Sequence, residues 1–168
     1  KKVVEDYCRL FYKLYELESV CLRYFNVFGP GQPGDSPYST AVSAWMHKLY
    51  EGSPLRSDGD GEQTRDIVYI KDVVDVNLLA ANSSEVMKGN VYNVGTGKSY
   101  TNNQVLEMIR ERVGAITVEK APSRVGDVRH TLSDIRKSRD ELGFKASWDF
   151  ESGLDETISW WGLNEDKS

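Results

Sequence analysis

Arg65 stands between the turn-forming run Gly59-Asp60-Gly61 and the hydrophobic run Ile67-Val68-Tyr69, so its guanidinium is mounted where a turn meets a strand. Anchored there, the planar fork can take two oxygens of a phosphoryl group and act as a diphosphate clamp, or it can pair with Asp60, Asp66 or Asp72. Arg124 and Asp127 flank Gly126 in a second polar stretch, where Asp127 and Arg129 are equally able to neutralise each other. Asn26 offers two donors and an acceptor without net charge, which suits sugar hydroxyls or a phosphate. It follows the run Val20-Cys21-Leu22-Arg23-Tyr24-Phe25, whose β-branched and aromatic residues suit a strand covered on both faces, and Gly29, Pro30 and Gly31 forbid continuation. Asn26 is therefore expected at the carboxyl end of a strand, where open α/β sheets hold ligands. His130 reads as a structural hydrogen-bonding residue and His47 as solvated, and no metal-ligand spacing occurs.

The elements that must position these residues alternate between strand and helix, which predicts an α/β fold. Val3, Val4, Tyr7, Cys8, Phe11, Leu14 and Tyr15 predict a helix over 3–17 with one or two buried faces. A strand is expected over 19–27, a loop over 29–37 and a helix over 38–50. Residues 53–64 read as a second long polar connection, and both connections are candidates for a substrate lobe. A strand over 66–70 follows, with Asp72 placed to cap a helix over 73–82. Then come a strand over 90–94, a helix over 102–113 capped by Thr101, and an edge strand over 116–120. Ser133 or Asp134 begins a helix that Gly143 stops, a last helix covers about 151–161, and 164–168 reads as a disordered tail.

The 168 residues are 39% apolar, enough for the core of one domain. A net charge of −5 gives no general attraction to nucleic acid or anionic membranes, so any nucleotide must be met by a few placed cations. Cys8 and Cys21 read as small core residues, which suits a reducing cytoplasm. No stretch approaches the roughly 18 apolar residues of a membrane span.

Four runs in order carry a resemblance: Leu22 to Gln32, Gly59 to Ile70, Val91 to Gly97, and Gly126-Asp127-Val128-Arg129-His130. They resemble signatures of the extended short-chain dehydrogenase/reductases, in the NAD-dependent epimerase/dehydratase family, and above all the UDP-hexose 4-epimerases. The resemblance implies the C-terminal part of a Rossmann-like doubly wound parallel sheet, formed by 1–28 and 66–96, plus a small α/β substrate-binding lobe formed by 29–65 and 97–163. It also implies NAD as cofactor and a UDP-sugar as ligand, with a homodimer formed through the helix at residues 1–17. By the same resemblance Lys1 is the catalytic lysine of a Tyr-x-x-x-Lys pair, lowering the tyrosine's pKa beside the nicotinamide ribose, although a solvated terminal lysine fits the residues equally. Tyr24 and Phe25 resemble residues packed against the nicotinamide end of the cofactor. Asn26 resembles a substrate ligand, Tyr38, Ser39 and Thr40 border base and sugar, Arg65 and Arg124 take the diphosphate, and Asp127 takes ribose hydroxyls.

In the complete enzyme so implied, NAD takes a hydride from C4 of a UDP-hexose, and the 4-keto sugar turns over and receives it on the other face. Neither of two expected motifs is complete in these 168 residues: no glycine-rich phosphate fingerprint occurs, and of the Tyr-x-x-x-Lys pair only Lys1 is matched. The expectation is a carboxyl-terminal half without turnover by itself. A non-enzymatic sugar-nucleotide-binding or dimerisation module, or half of a related dehydratase or decarboxylase, is the alternative. One departure stands out: relatives usually carry an Ile-aromatic pair before Gly-Asp-Gly, and this chain has Ser57-Asp58 preceded by Arg56.

Overall fold

The structure is a computed structural model that describes residues 1–36, 38–84 and 87–163. Its elements run α1 (Lys2–Tyr15), β1 (Val20–Tyr24), β2 (Asn26–Phe28), α2 (Ala41–Tyr50), β3 (Leu55–Asp58), β4 (Thr64–Tyr69) and α3 (Ile70–Ala81). They continue β5 (Asn90–Val94), β6 (Ser99–Thr101), α4 (Asn102–Val113), β7 (Val118–Ala121), α5 (Arg136–Leu142) and α6 (Phe150–Trp160). The expected tail, 164–168, lies outside the described residues.

Strand pairing explains the first departure from expectation. β1 runs parallel to β5, from Val20 opposite Asn90 to Tyr24 opposite Val94, while β2 runs parallel to β4, with Asn26 opposite Ile67. The single strand expected over 19–27 is therefore two, because the chain changes partners at Phe25, whose N–H still donates to the Val94 carbonyl at 2.9 Å. The polar connection expected over 53–64 also contains a strand. β3 pairs in parallel with β7, burying Leu55 and Ser57 while Arg56 faces out, a period of two hidden by the polarity of the run. β6 closes against β4 in antiparallel fashion.

Local signals set several helix ends. Thr101 forms a full capping box, its hydroxyl accepting from the Gln104 N–H at 3.0 Å while the Gln104 side chain accepts from the Thr101 N–H at 2.8 Å. Thr40 caps α2, so that helix starts at Ala41 rather than at 38. Gly143 ends α5 with φ of 68°, a left-handed cap that favours glycine.

Other ends were displaced by tertiary contacts. Asp72 does not cap α3, which already begins at Ile70. Its buried carboxylate instead accepts from the Ser147 N–H at 2.8 Å, the Ser147 hydroxyl at 2.9 Å and the Trp148 N–H at 3.3 Å, pinning the approach to α6 onto α3. Neither Ser133 nor Asp134 lies inside α5, which starts at Arg136. α1 forms where it was expected but ends at Tyr15 rather than 17, with Glu16 as its left-handed cap, and it lacks the expected burial. Val3, Val4, Tyr7, Phe11, Leu14 and Tyr15 are exposed, and the helix is tied to β1 by the Glu5 carboxylate, which accepts from Arg23 at 2.6 and 2.7 Å.

The main core stacks Phe28 against Tyr69 and Phe150, with ring centroids 5.3 and 5.1 Å apart, beside Met46, Leu55, Ile109 and Leu154. α6 reaches this stack through Gly153, where an added Cβ would lie 2.8 Å from both the Phe28 and Tyr69 rings. A second cluster of Val68, Val76, Tyr92, Val94 and Phe144 lies between α3 and β5. Together the two clusters hold the ends of β2 and β4 rigidly in place.

Candidate functional site

Asn26 at the start of β2 and Arg65 in β4 are brought to one rim by the parallel β2–β4 pairing. The amino-terminal end of α2 adds Ser39 and Thr40, β3 adds Arg56 and Asp58, and the segment after β7 adds Arg124 and Asp127. All eight line one cavity of about 380 Å³. That volume lies within the range of small-molecule pockets.

The cavity is rich in charge, and each charge has a partner. Arg65 Nη2 lies 2.5 Å from Asp127 Oδ1, and its Nη1 donates to the Thr64 carbonyl at 2.8 Å. Pairing of Arg65 with Asp60, Asp66 or Asp72 does not occur. Nor does the suggested Asp127–Arg129 pair form, since Arg129 grips Asp60 with two bonds of 2.7 and 2.8 Å. Asp58 accepts from Arg56 Nε at 2.7 Å and from Arg124 Nε at 2.5 Å. Partial burial pushes the Asp58 carboxyl up, but the hydrogen bonds from Arg56 and Arg124 outweigh it and hold the group below its usual value. The Asp60 carboxyl is pulled down to about 2, first by Arg129 and then by the Glu62 N–H.

Three of these ion pairs, Asp58–Arg124, Asp60–Arg129 and Arg65–Asp127, fasten the exposed 121–131 segment across the cavity mouth as a strap. Backbone bonds from the Thr64 N–H to the Arg129 carbonyl and from the Thr131 N–H to the Thr64 carbonyl hold it along β4. His130 Nδ1 lies 3.0 Å from the Thr64 hydroxyl, which makes it a structural hydrogen-bonding residue, as its position in the sequence suggested. His47 is not simply solvated, being half-buried with Nε2 3.1 Å from a Glu51 carboxylate oxygen and its edge on Trp161.

The remaining sequence candidates lie elsewhere. Lys1 is exposed ahead of α1. Tyr24 donates to Asn77 Oδ1 at 3.0 Å and lines a separate groove with Val20, Leu22 and Ala80. Phe25 is half-buried between β1 and β2 and does not line the cavity, and Tyr38 is 94% exposed. Residues that sequence reasoning passed over do line it: Trp45, Lys48, Gln63 and Asn102. Trp45 donates to the Arg56 carbonyl at 2.8 Å and Gln63 to the Asp58 carbonyl at 2.9 Å, so both brace β3. Their signal was helical spacing for Trp45 and proximity to Arg65 for Gln63.

Behind the rim, the wholly buried Asp66 accepts from the Thr96 N–H and hydroxyl, the Gly97 N–H and the Ser133 N–H at 2.8–3.0 Å, and from the Ser133 hydroxyl. The Thr96 and Gly97 N–H groups, the nearest thing to a glycine phosphate cradle in the sequence, are thus already committed. Among the described residues no three His, Cys, Asp or Glu side chains gather as metal ligands, and no helix is long and apolar enough to cross a membrane.

Residues 1–95 match the NAD dependent epimerase/dehydratase family. The chain is 31% identical over 157 residues to the UDP-glucose 4-epimerase of Mycolicibacterium smegmatis, covering 92% of this chain and 49% of that protein. Its structure superposes on the UDP-glucose 4-epimerase of Thermotoga maritima bound to UDP-glucose with a TM-score of 0.88 at 34% identity, covering 96% of this chain and 52% of the other. A UDP-N-acetylglucosamine 4-epimerase from Methanobrevibacter ruminantium, solved with UDP-N-acetylmuramic acid, gives the same TM-score at 38% identity over 95% of this chain and 51% of the other. The chain spans about half the length of the relatives it matches.

Proposed function

Because the chain belongs to the NAD dependent epimerase/dehydratase family, we propose that it is the nucleotide-sugar-binding half of an NAD-dependent UDP-hexose 4-epimerase, a cytoplasmic enzyme. The observation that carries this reading is the convergence of Asn26, Arg65, Arg124 and Asp127 on one cavity from three separate segments. Two guanidinium groups lining one cavity suit a diphosphate, each contributing on the order of 1.5 to 3 kcal/mol through charge-assisted bonds. Asp127, on the strap, is suited to ribose hydroxyls, Asn26 to the sugar, and Ser39 and Thr40 to the rim between base and sugar, with the exposed Tyr38 next to them in sequence as a further contact.

NAD supplies hydride transfer in this family, and the Thr96 and Gly97 amides do not offer its phosphates a cradle, because they serve Asp66. In this reading Lys1, Tyr24 and Phe25 meet only the nicotinamide end of the cofactor, and the phosphate site belongs to sequence outside this chain. Residues 1–28 and 66–96 then continue the dinucleotide-binding sheet, and 29–65 with 97–163 form the substrate lobe, in keeping with the separate β3–β7 pair. The exposed apolar stripe of α1 is the proposed homodimer surface.

Titration calorimetry of the chain with UDP and with NAD tests the reading. UDP binding without NAD binding is the expected result, and binding of neither refutes it. Turnover of UDP-glucose by the chain alone would overturn the half-enzyme part.

A further inference from the structure

Asp58 lies within the cavity wall, where the family resemblance leads one to expect an aromatic side chain. Its side chain is 13% exposed and is held by two arginines that are themselves 62% and 66% exposed, Arg56 and Arg124. The carboxylate is therefore anchored on β3 while the guanidiniums are free to swing.

We propose that Asp58 is the resting partner of Arg124: it holds that arm at the cavity mouth and yields it to the phosphates of a bound ligand, so that it sets how much negative charge a ligand must carry. This rests on the nucleotide-sugar reading above. Leaving so enclosed a carboxylate unpaired would be costly, but Arg56 remains on Asp58 when Arg124 departs. The exchange therefore strands no charge. A diphosphate offers Arg124 more charge than one carboxylate does, whereas a neutral nucleoside offers nothing that Asp58 does not already supply. Asp58 is thus a specificity-determining residue, favouring diphosphate ligands over uncharged ones through competition for a shared arginine.

Calorimetric titration with UDP and with uridine tests this on the whole chain. Asp58→Asn is expected to tighten UDP binding about three- to tenfold and to leave uridine binding unchanged. Arg56→Gln, which leaves Asp58 wholly dependent on Arg124, is expected to weaken UDP binding by a similar factor. In an Arg124→Gln background the gain from Asp58→Asn should vanish.

A folded Asp58→Asn protein that binds UDP equally or more weakly overturns the proposal, as does a gain that persists without Arg124. Should Asp58→Asn lose its native circular dichroism, the Arg56→Gln arm decides, and unchanged or tighter UDP binding there overturns it. Loss of the competition effect with UDP binding intact removes only the role of Asp58, while failure of the unaltered chain to bind UDP removes the parent reading as well.

Discussion

At the end of β4 two neighbouring residues meet opposite fates. Asp66 is wholly buried and accepts from Thr96, Gly97 and Ser133, whereas Arg65 lines the cavity and meets a carboxylate on the exposed strap. The Asp66 carboxylate is held by three backbone N–H groups and two hydroxyls. The strap is held largely by side-chain ion pairs, each with an arginine or a carboxylate in contact with water. A charge saturated by backbone groups is architecture, because any rearrangement strands buried N–H donors. A charge matched by a mobile side chain can change partners, and in this molecule such charges surround the cavity.

The largest effect that would test this contrast is at Asp66. Asp66→Asn places an amide donor against N–H donors and should destabilise the chain by about 3 to 5 kcal/mol, read from urea unfolding. An unchanged midpoint would mean that the buried network is not structural.

Next to it, Arg65→Gln should lower UDP affinity tenfold or more in a calorimetric titration while shifting stability by less than about 1 kcal/mol. A large loss of stability with unaltered affinity would reverse the roles assigned to the two neighbours.

A smaller effect concerns the strap alone. The Arg129 guanidinium holds the Asp60 carboxyl down at about 2, below its ordinary 3.8, so their pairing is complete above pH 3.8 and is lost as pH falls through about 2. Carboxyl carbon shifts followed by NMR should give that low midpoint, and Arg129→Gln should return it towards the ordinary value. A midpoint near 3.8 in the unaltered chain would leave the strap unfastened at this point.

Smallest of all, Arg129→Gln should leave the urea midpoint almost unmoved, since both partners are about half exposed. The same variant should speed amide exchange at Thr64 and Thr131, whose N–H groups donate to the Arg129 and Thr64 carbonyls and fasten the strap. Exchange that stays slow would mean that the backbone bonds alone hold it.

Features that depend on a few neighbouring residues were legible in the sequence. Thr101 with Gln104 three residues on specifies a capping box, Gly143 specifies a left-handed stop, and the spacing of Val42, Trp45 and Met46 specifies the buried face of α2. Arg65, Arg124, Asn26 and Asp127 were legible as candidates because charge or amide groups beside glycine-rich turns are rarely core. Their common cavity is a fact of the fold.

What only the tertiary structure decided involves residues far apart in the chain. The switch of partner at Phe25 depends on β4 and β5, more than forty residues later, and β3 is a strand only because β7 lies beside it. Asp72 looks like a cap from its neighbours and becomes a pin because Ser147 arrives 75 residues on. Which carboxylate each arginine takes, and hence which charges can be exchanged for a ligand, is set when the strap is laid across β3 and β4. Side-chain type and short spacing determine local geometry through sterics and capping, but pairing among several nearly equivalent charges is decided by distance and burial, and these exist only once the chain has folded.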